Sequence, residues 1–583
     1  MGDRSGGTDR AVRVRVDAVR VTIVGRMSTI VPQARLRAEI DALADAVASV
    51  RFGLATESQG DRRARRDHLL RMLGGYLEPR LADSDLPLVV AVFGPTGSGK
   101  STIVNTLAGR AISRVGALRP TTREAVVWVH ERHADRVRAM LGETGPVEVV
   151  IDDHVVLRSI ALVDTPDIDS IAEEHRIQTT AILEASDVAI AVTTPQRYAD
   201  AVPWEVLADL TERDLDIVVV MNRASRRSSG AVADLVGLLR DARVGQVTSA
   251  EDVTVIQEQR VRADGRLHGY ALRTLARRLE ALAADQSGAA RRGLAASGRH
   301  AVNVARELAD AVDTQLSEAA ALRAVAAEAV AAQQLEISSR LEGGDLVRDE
   351  VVARWQRLVG VSDLAELVTR GVTRLRNLVT GARVVSDETV ATVDREVRDE
   401  LVALGVLRAG RACTAIELGW STSTAGEARL VDVDDVTESV RSDLVESVAE
   451  WQAEVVALVA AAGHGSFRLA RAASVGINAA ATLLLLGVFA STGGITGAEY
   501  GVAAGAAAAQ QTVLERLFGS AAASRLAKAA RTLLVDRLGR AVTKATDPYL
   551  ASLDRALDDD DQASQLREAA RRVESALAEY LGD

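Results

Sequence analysis

At 583 residues the chain spans several domain lengths, and its 48% apolar and 26% charged residues exclude a largely disordered or collagen-like polymer. With five Phe, five Trp and six Tyr, burial must come from Ala, Val and Leu on closely spaced helices, and the lone Cys413 excludes an internal disulfide or a multi-cysteine metal site and suits a reducing cytoplasm. The net charge of −11 disfavours a general phosphate-backbone binder, so nucleic acid is not an expected partner.

Residues 1–26 alternate Val with Arg and Asp and lack the apolar core of a secretory signal, so they read as a disordered tail or an over-extended start. Gln33 to Val50 reads as helix, and 27–85 as a helical segment expected to pack with a later helical stalk. The arginines at 62, 63, 65 and 66 read as a solvated helix face. From Leu86 the texture changes to short β-branched runs, LPLVVAVF, EVVI, SIALVD, DVAIAVT and DIVVVMN, which suit buried strands of an α/β domain over 86–262.

Residues 204–547 contain no proline, which long helices tolerate, and 263–583 is expected to be a helical stalk. Within it, Leu364, Val368, Val372, Leu375 and Val379 follow helical spacing behind an Asp363/Glu366 capping box. Leu566, Ala570, Val573, Leu577 and Tyr580 repeat as a helix laid on another helix. The acidic run Asp558 to Asp561 reads as a solvated turn whose charge suits the following helix dipole.

Residues 94–101, GPTGSGKS, fit G-x-x-x-x-G-K-[ST] directly after the strand ending at Phe93. Gly94, Gly97 and Gly99 let the backbone curl round phosphates, with Pro95, Thr96, Ser98 and Thr102 completing the loop and the first helical turn. Lys100 is placed for the β- and γ-phosphates and Ser101 for Mg²⁺. Asp164, in ALVDTPD, is the expected second-shell holder of Mg²⁺, and Thr165 directly after it argues against an ATPase with a following Glu. In RPTTRE, Thr121 and Thr122 stand in a loop suited to metal and γ-phosphate, Thr122 being the first choice.

GPTGSGKSTIVNTLAG, RPTTRE, DTPDIDS and VTTPQRYADAVPWEVL together resemble the bacterial dynamin-like GTPases over residues 86–225. The resemblance implies a Ras-like mixed sheet flanked by helices, a long helical stalk, hydrolysis of GTP, and self-association as a homo-oligomer or with a related GTPase. Three positions depart from the family pattern. Asp167 replaces the glycine of D-x-P-G; Thr96 and Gly97 replace a glutamine and serine that order the attacking water and a monovalent cation; and Asn222, Arg223, Ala224 and Ser225 replace N/T-K-x-D. Slow hydrolysis follows from the first two. The third implies a weakened guanine preference, with Arg223 left to stack on the base and adenine kept open.

Residues 472–514 hold one charge, Glu499, in 43 residues, and read as two apolar arms joined by GGITGAE. The first arm is long enough to span a bilayer, and Gly501 and Gly505 offer a small-residue face to it. Arg468 and Arg471 before it and Arg516, Arg525 and Lys528 after it would keep both ends cytoplasmic. The resemblance implies a lipid-inserting paddle here and a protein attached to the inner face of the cell membrane. An Ala-rich helix pair inside the stalk, in a nucleotide-dependent scaffold or weak P-loop ATPase acting through helical partners, is the competing expectation.

Overall fold

The structure, a computed structural model, describes residues 31–56, 58–114, 124–142, 144–169, 173–225, 227–245, 247–262, 264–343, 387–463, 520–557 and 561–582. By packing, the chain divides into two units. The first holds the residues up to Phe52, Ser58–Thr314 and Asp559–Asp583; the second holds Gly53–Glu57 and Gln315–Asp558. The segment 27–85, expected with the stalk, therefore has most of its described residues in the first unit.

The first unit is built on a seven-stranded sheet: β1 Leu88–Phe93, β2 Ala125–Val129, β3 Val147–Ile151, β4 Ile160–Asp164, β5 Val188–Thr193, β6 Asp216–Ala224 and β7 Thr254–Gln257. Its order is β3-β2-β4-β1-β5-β6-β7, parallel throughout except where β2 meets β4. The central strands are buried on both faces, because helices cover each side of a sheet joined by crossovers. That is why they read as continuous β-branched runs. β3, an edge strand, is half-buried to exposed along its length, which corrects the expectation that its EVVI run is a buried strand: only one neighbour strand covers it.

Helices flanking the sheet are α3 Lys100–Leu107, α4 Ala134–Gly142, α5 Glu173–Glu184, α6 Ala201–Glu212 and α7 Ser229–Asp241, with α1 (31–49) and α2 Gln59–Met72 before them. The first unit is completed by α8 Arg273–Ala284, the first part of the 58-residue α9 Gln286–Gly343, and α13 Gln562–Leu581. The expected stripe on α13 is buried at Leu566, Ala570, Val573 and Leu577, with a Leu577 methyl lying so close to Gly298 that a Cβ there would meet it at 2.9 Å. Tyr580 lies under the Arg291 guanidinium. The arginine run is only half solvated: Arg63 and Arg66 donate to Phe52 O and Val50 O, and Arg65 pairs with Glu212 and Glu307.

The second unit packs α10 Asp387–Trp420, α11 Val433–Gly463, α12 Ser520–Asp554 and the remainder of α9 round a core of Leu, Val and Ala. Trp420 and Trp451 are fully buried, and each indole N–H finds a backbone carbonyl, Leu322 O at 3.0 Å and Ala530 O at 2.8 Å. Gly405 lets the helices approach closely, because a Cβ there would meet Leu444 at 2.6 Å. Among the described residues no helix is long and apolar enough to cross a membrane. The 1–26 tail, the stripe at 364–379 and the hairpin at 472–514 lie outside the described residues.

Candidate functional site

The site forms where the carboxyl ends of β1, β4, β5 and β6 open onto loops. Residues 94–99 leave β1 and enter α3 at Lys100, as the motif requires. Gly94 has φ +149°, and a Cβ on it would sit 2.1 Å from Val192 O. Gly99 has φ +97°, and a Cβ on it would sit 2.4 Å from the Asn222 Nδ2. Both positions therefore exclude side chains, and the loop closes on itself through Ser98 N–H to Pro95 O at 3.1 Å.

Lys100 is buried with its ammonium donating to Gly94 O at 2.9 Å and to Asp167 Oδ1 at 2.5 Å. Asp164 ends β4 and is wholly buried. Burial pushes its carboxyl above the ordinary range, against the pull of Ser101, Lys100 and Ser113, while Asp167 pushes it further up. Among the described residues neither carboxylate oxygen of Asp164 has a hydrogen bond of ordinary geometry. An orphaned buried carboxylate beside a serine hydroxyl is the donor set a hard cation takes. Ser101 and Asp164 thus fit Mg²⁺, and no cluster of three or more His, Cys, Asp or Glu competes for a metal among the described residues.

Asn222 lies at the end of β6, where its Nδ2 donates to Ser98 O at 2.7 Å and its Oδ1 accepts the Arg223 N–H at 2.9 Å. It braces the P-loop. Arg223 takes a left-handed backbone, φ +56°, beside a register shift between β6 and β7, and is exposed. Ser225 is exposed too, its hydroxyl 3.0 Å from that of Ser228. Thr96, Gly97, Pro95, Ser98 and Thr102 lie in or next to the loop as the spacing implied, whereas Thr121 and Thr122 lie outside the described residues.

Four residues join this site without a signal in the motif reading. Asp169 accepts the Thr96 N–H at 2.7 Å and its hydroxyl at 2.6 Å, which with Arg197 holds its carboxyl below the ordinary range despite partial burial. Arg197, after β5, donates to Thr96 O at 2.7 Å and to Asp169 and Asp200, each at 2.6 Å. Asn105 on α3 accepts the N–H groups of Ile112 and Ser113 through one oxygen and donates to Ser113 O. That folds the chain after α3 so that Ser113 lies near enough to pull the Asp164 carboxyl down, without a hydrogen bond of ordinary geometry to it. The only trace of Asp169 and Arg197 in the sequence is their position within DTPDIDS and TTPQRYAD; Asn105 lies within GPTGSGKSTIVNTLAG, and Ser113 lies outside every motif.

Residues 89–223 match the profile of a GTPase family described as 50S ribosome-binding GTPase. With the strand–loop–helix geometry above, this makes the α/β part of the first unit a P-loop GTPase domain, and the chain a GTP hydrolase by domain class. Among solved structures, a bacterial dynamin of an oligomerised pair described in long-range sensing and tethering of membranes shares 10% identity over 98% of this chain and 100% of its own, at a TM-score of 0.44. LeoA, a bacterial dynamin GTPase from ETEC, shares 10% over 95% and 98%, at 0.23. Era of Aquifex aeolicus bound to GDP and aluminium fluoride shares 17% over 34% and 56%, at 0.23. No curated protein sequence matches the chain. At such identities and scores these likenesses carry no argument about function.

Proposed function

We propose that the chain is a bacterial dynamin-like GTPase that binds Mg²⁺ and GTP, hydrolyses GTP to GDP and phosphate, and couples nucleotide state to self-association and membrane binding. The observation that supports it most is the convergence of Lys100, Ser101 and Asp164, orphaned among the described residues, at the mouth of a strand–loop–helix cradle, on a chain whose described residues beyond the sheet domain form long helices. Lys100 would neutralise the β- and γ-phosphates, the loop N–H groups would hold the phosphate oxygens, and Ser101 and Asp164 would position Mg²⁺, which supplies charge neutralisation of the transferring phosphoryl group. The chain's part in hydrolysis is positioning, with no covalent step on the protein.

A second reading, a nucleotide-dependent scaffold with weak hydrolysis, draws on Asp167, which puts a carboxylate where the family pattern has a glycine N–H. Single-turnover assays with GTP and with ATP, on the parent chain and on Lys100→Ala, separate the readings. GTP cleavage that is lost in Lys100→Ala supports the GTPase; nucleotide binding without cleavage supports the scaffold; unchanged affinity in Lys100→Ala contradicts the P-loop assignment.

We also propose that residues 472–514 form the lipid-binding element and hold the protein at the inner face of the cell membrane. The chain's −11 charge is repelled by anionic lipid on average, whereas an apolar arm gains from burial. Leu484→Asp with Leu486→Asp should abolish liposome flotation, since two central Asp oppose insertion by about 5–7 kcal/mol. Helicity and nucleotide binding should persist. Collapse of helicity, in a parent that does not float, would place these residues in a soluble core.

A further inference from the structure

We propose that Asp167 and Asp169 act as built-in competitors of the γ-phosphate, setting the site's relative affinity for nucleoside di- and triphosphates. The inference rests on the P-loop reading above. A P-loop holds its terminal phosphates with two kinds of group, the lysine ammonium and the backbone N–H groups of the loop's turn. Here one group of each kind is already engaged by a carboxylate. Lys100 donates to Asp167 Oδ1, and the Thr96 N–H donates to Asp169 Oδ1, with the Thr96 hydroxyl as a second donor.

Both carboxylates come from the same short loop after β4, the segment whose glycine in the family pattern faces the γ-phosphate. Asp167 is buried, its side chain 10% exposed, so its charge is poorly screened. Asp169 is fixed further by Arg197, which also donates to Thr96 O and thereby ties loop and cradle together. These are charge-assisted hydrogen bonds, the strong kind, and they must break before an anion can take the same donors. A diphosphate seats its β-phosphate on the more C-terminal N–H groups of the loop and shares Lys100 with Asp167, but leaves the Thr96 end, where a γ-phosphate would sit, to the two carboxylates. A triphosphate brings a further phosphate against two carboxylates at that end. The pair therefore costs triphosphate more than diphosphate.

The experiment is titration of the full chain, with Mg²⁺, by fluorescent GDP and by a fluorescent non-hydrolysable GTP analogue. Parent, Asp167→Asn, Asp169→Asn and Asp167→Gly are compared, the last restoring the family residue. The expected result is a rise in triphosphate affinity of about tenfold for Asp167→Asn and Asp167→Gly, with diphosphate affinity moving less than about threefold. Asp169→Asn should shift the ratio the same way by a smaller factor, because Arg197 loses its partner too. Binding of both nucleotides with an unchanged or lowered triphosphate preference in all three variants would overturn the proposal while leaving the P-loop reading intact. Absence of nucleotide binding in the parent and every variant would overturn both.

Discussion

Asp164 and Asp187 are both wholly buried, one at the carboxyl end of β4 and the other just before β5, on either side of β1. Burial pushes both carboxyls above the ordinary range. Their surroundings differ. Asp187 accepts the Val89 N–H at 2.7 Å, the Tyr76 hydroxyl at 2.9 Å and the Arg80 guanidinium. Arg213, stacked over Tyr76 with its carbon 4.4 Å from the ring centroid, adds positive charge and donates to Leu183 O, Glu184 O and Ser186 O at the end of α5. Among the described residues Asp164 has no such set. A satisfied buried carboxylate is architecture, here joining the helical segment 73–82, β1 and the turn before β5; an unsatisfied one is costly to the fold and is retained for what it will bind.

The largest effect that would test this contrast is Asp187→Ala. It leaves Arg80 buried without its carboxylate and should lower stability by about 3–5 kcal/mol, read as a shift in the urea midpoint. A change within experimental scatter would mean that the network is not structural.

Next comes a titration on the same side of the sheet. His300 is buried, and burial, with His68, Arg213 and Arg65 nearby, pushes its pKa down to about 4 against the pull of Glu212. The folded form thus binds fewer protons than the unfolded form between pH 6.5 and about 4. Its contribution is intact above that window, and stability is lost as pH falls through it, by up to about 3 kcal/mol. Comparison of the parent with His300→Gln at pH 7.5 and pH 4.5 should show a shallower loss in the variant; parallel losses would contradict the assignment.

The smallest effect concerns the base end of the site. Ser225 and Arg223 are exposed, whereas Lys100, Asp164 and Asn222 are buried, so the phosphate end is built into the fold and the base end is not. Ser225→Asp offers an acceptor to the guanine N–H groups and should raise the GTP-to-ATP affinity ratio by about five- to tenfold, equivalent to roughly 1 kcal/mol. If the ratio does not move, residues 222–225 do not read the base.

What the sequence made legible follows the same division. The cradle was readable because backbone curling round phosphate demands Gly94, Gly99 and Lys100 at fixed contiguous spacing, and the strands were readable because two-sided burial demands unbroken β-branched runs. The Tyr76–Arg80–Asp187–Arg213 network was not, since its members are far apart in the chain and nothing local marks an arginine as buried. The same holds for Thr96, Asp169 and Arg197, which three loops bring together. The arginine run is only partly legible for a related reason. Polar spacing reveals a helix face but not the carbonyls of Val50 and Phe52 that Arg66 and Arg63 cap.

The central claim, that Asp164 is held unsatisfied for a Mg²⁺-bound triphosphate, is tested most directly by thermal unfolding of the parent and Asp164→Asn, each without ligand and with Mg²⁺ and a non-hydrolysable GTP analogue. Removing the buried charge should raise ligand-free stability by about 1 kcal/mol, and the Mg²⁺-dependent part of the nucleotide-induced rise in Tm should disappear. A variant less stable than the parent without ligand, or one that keeps the full Mg²⁺-dependent rise, would contradict it.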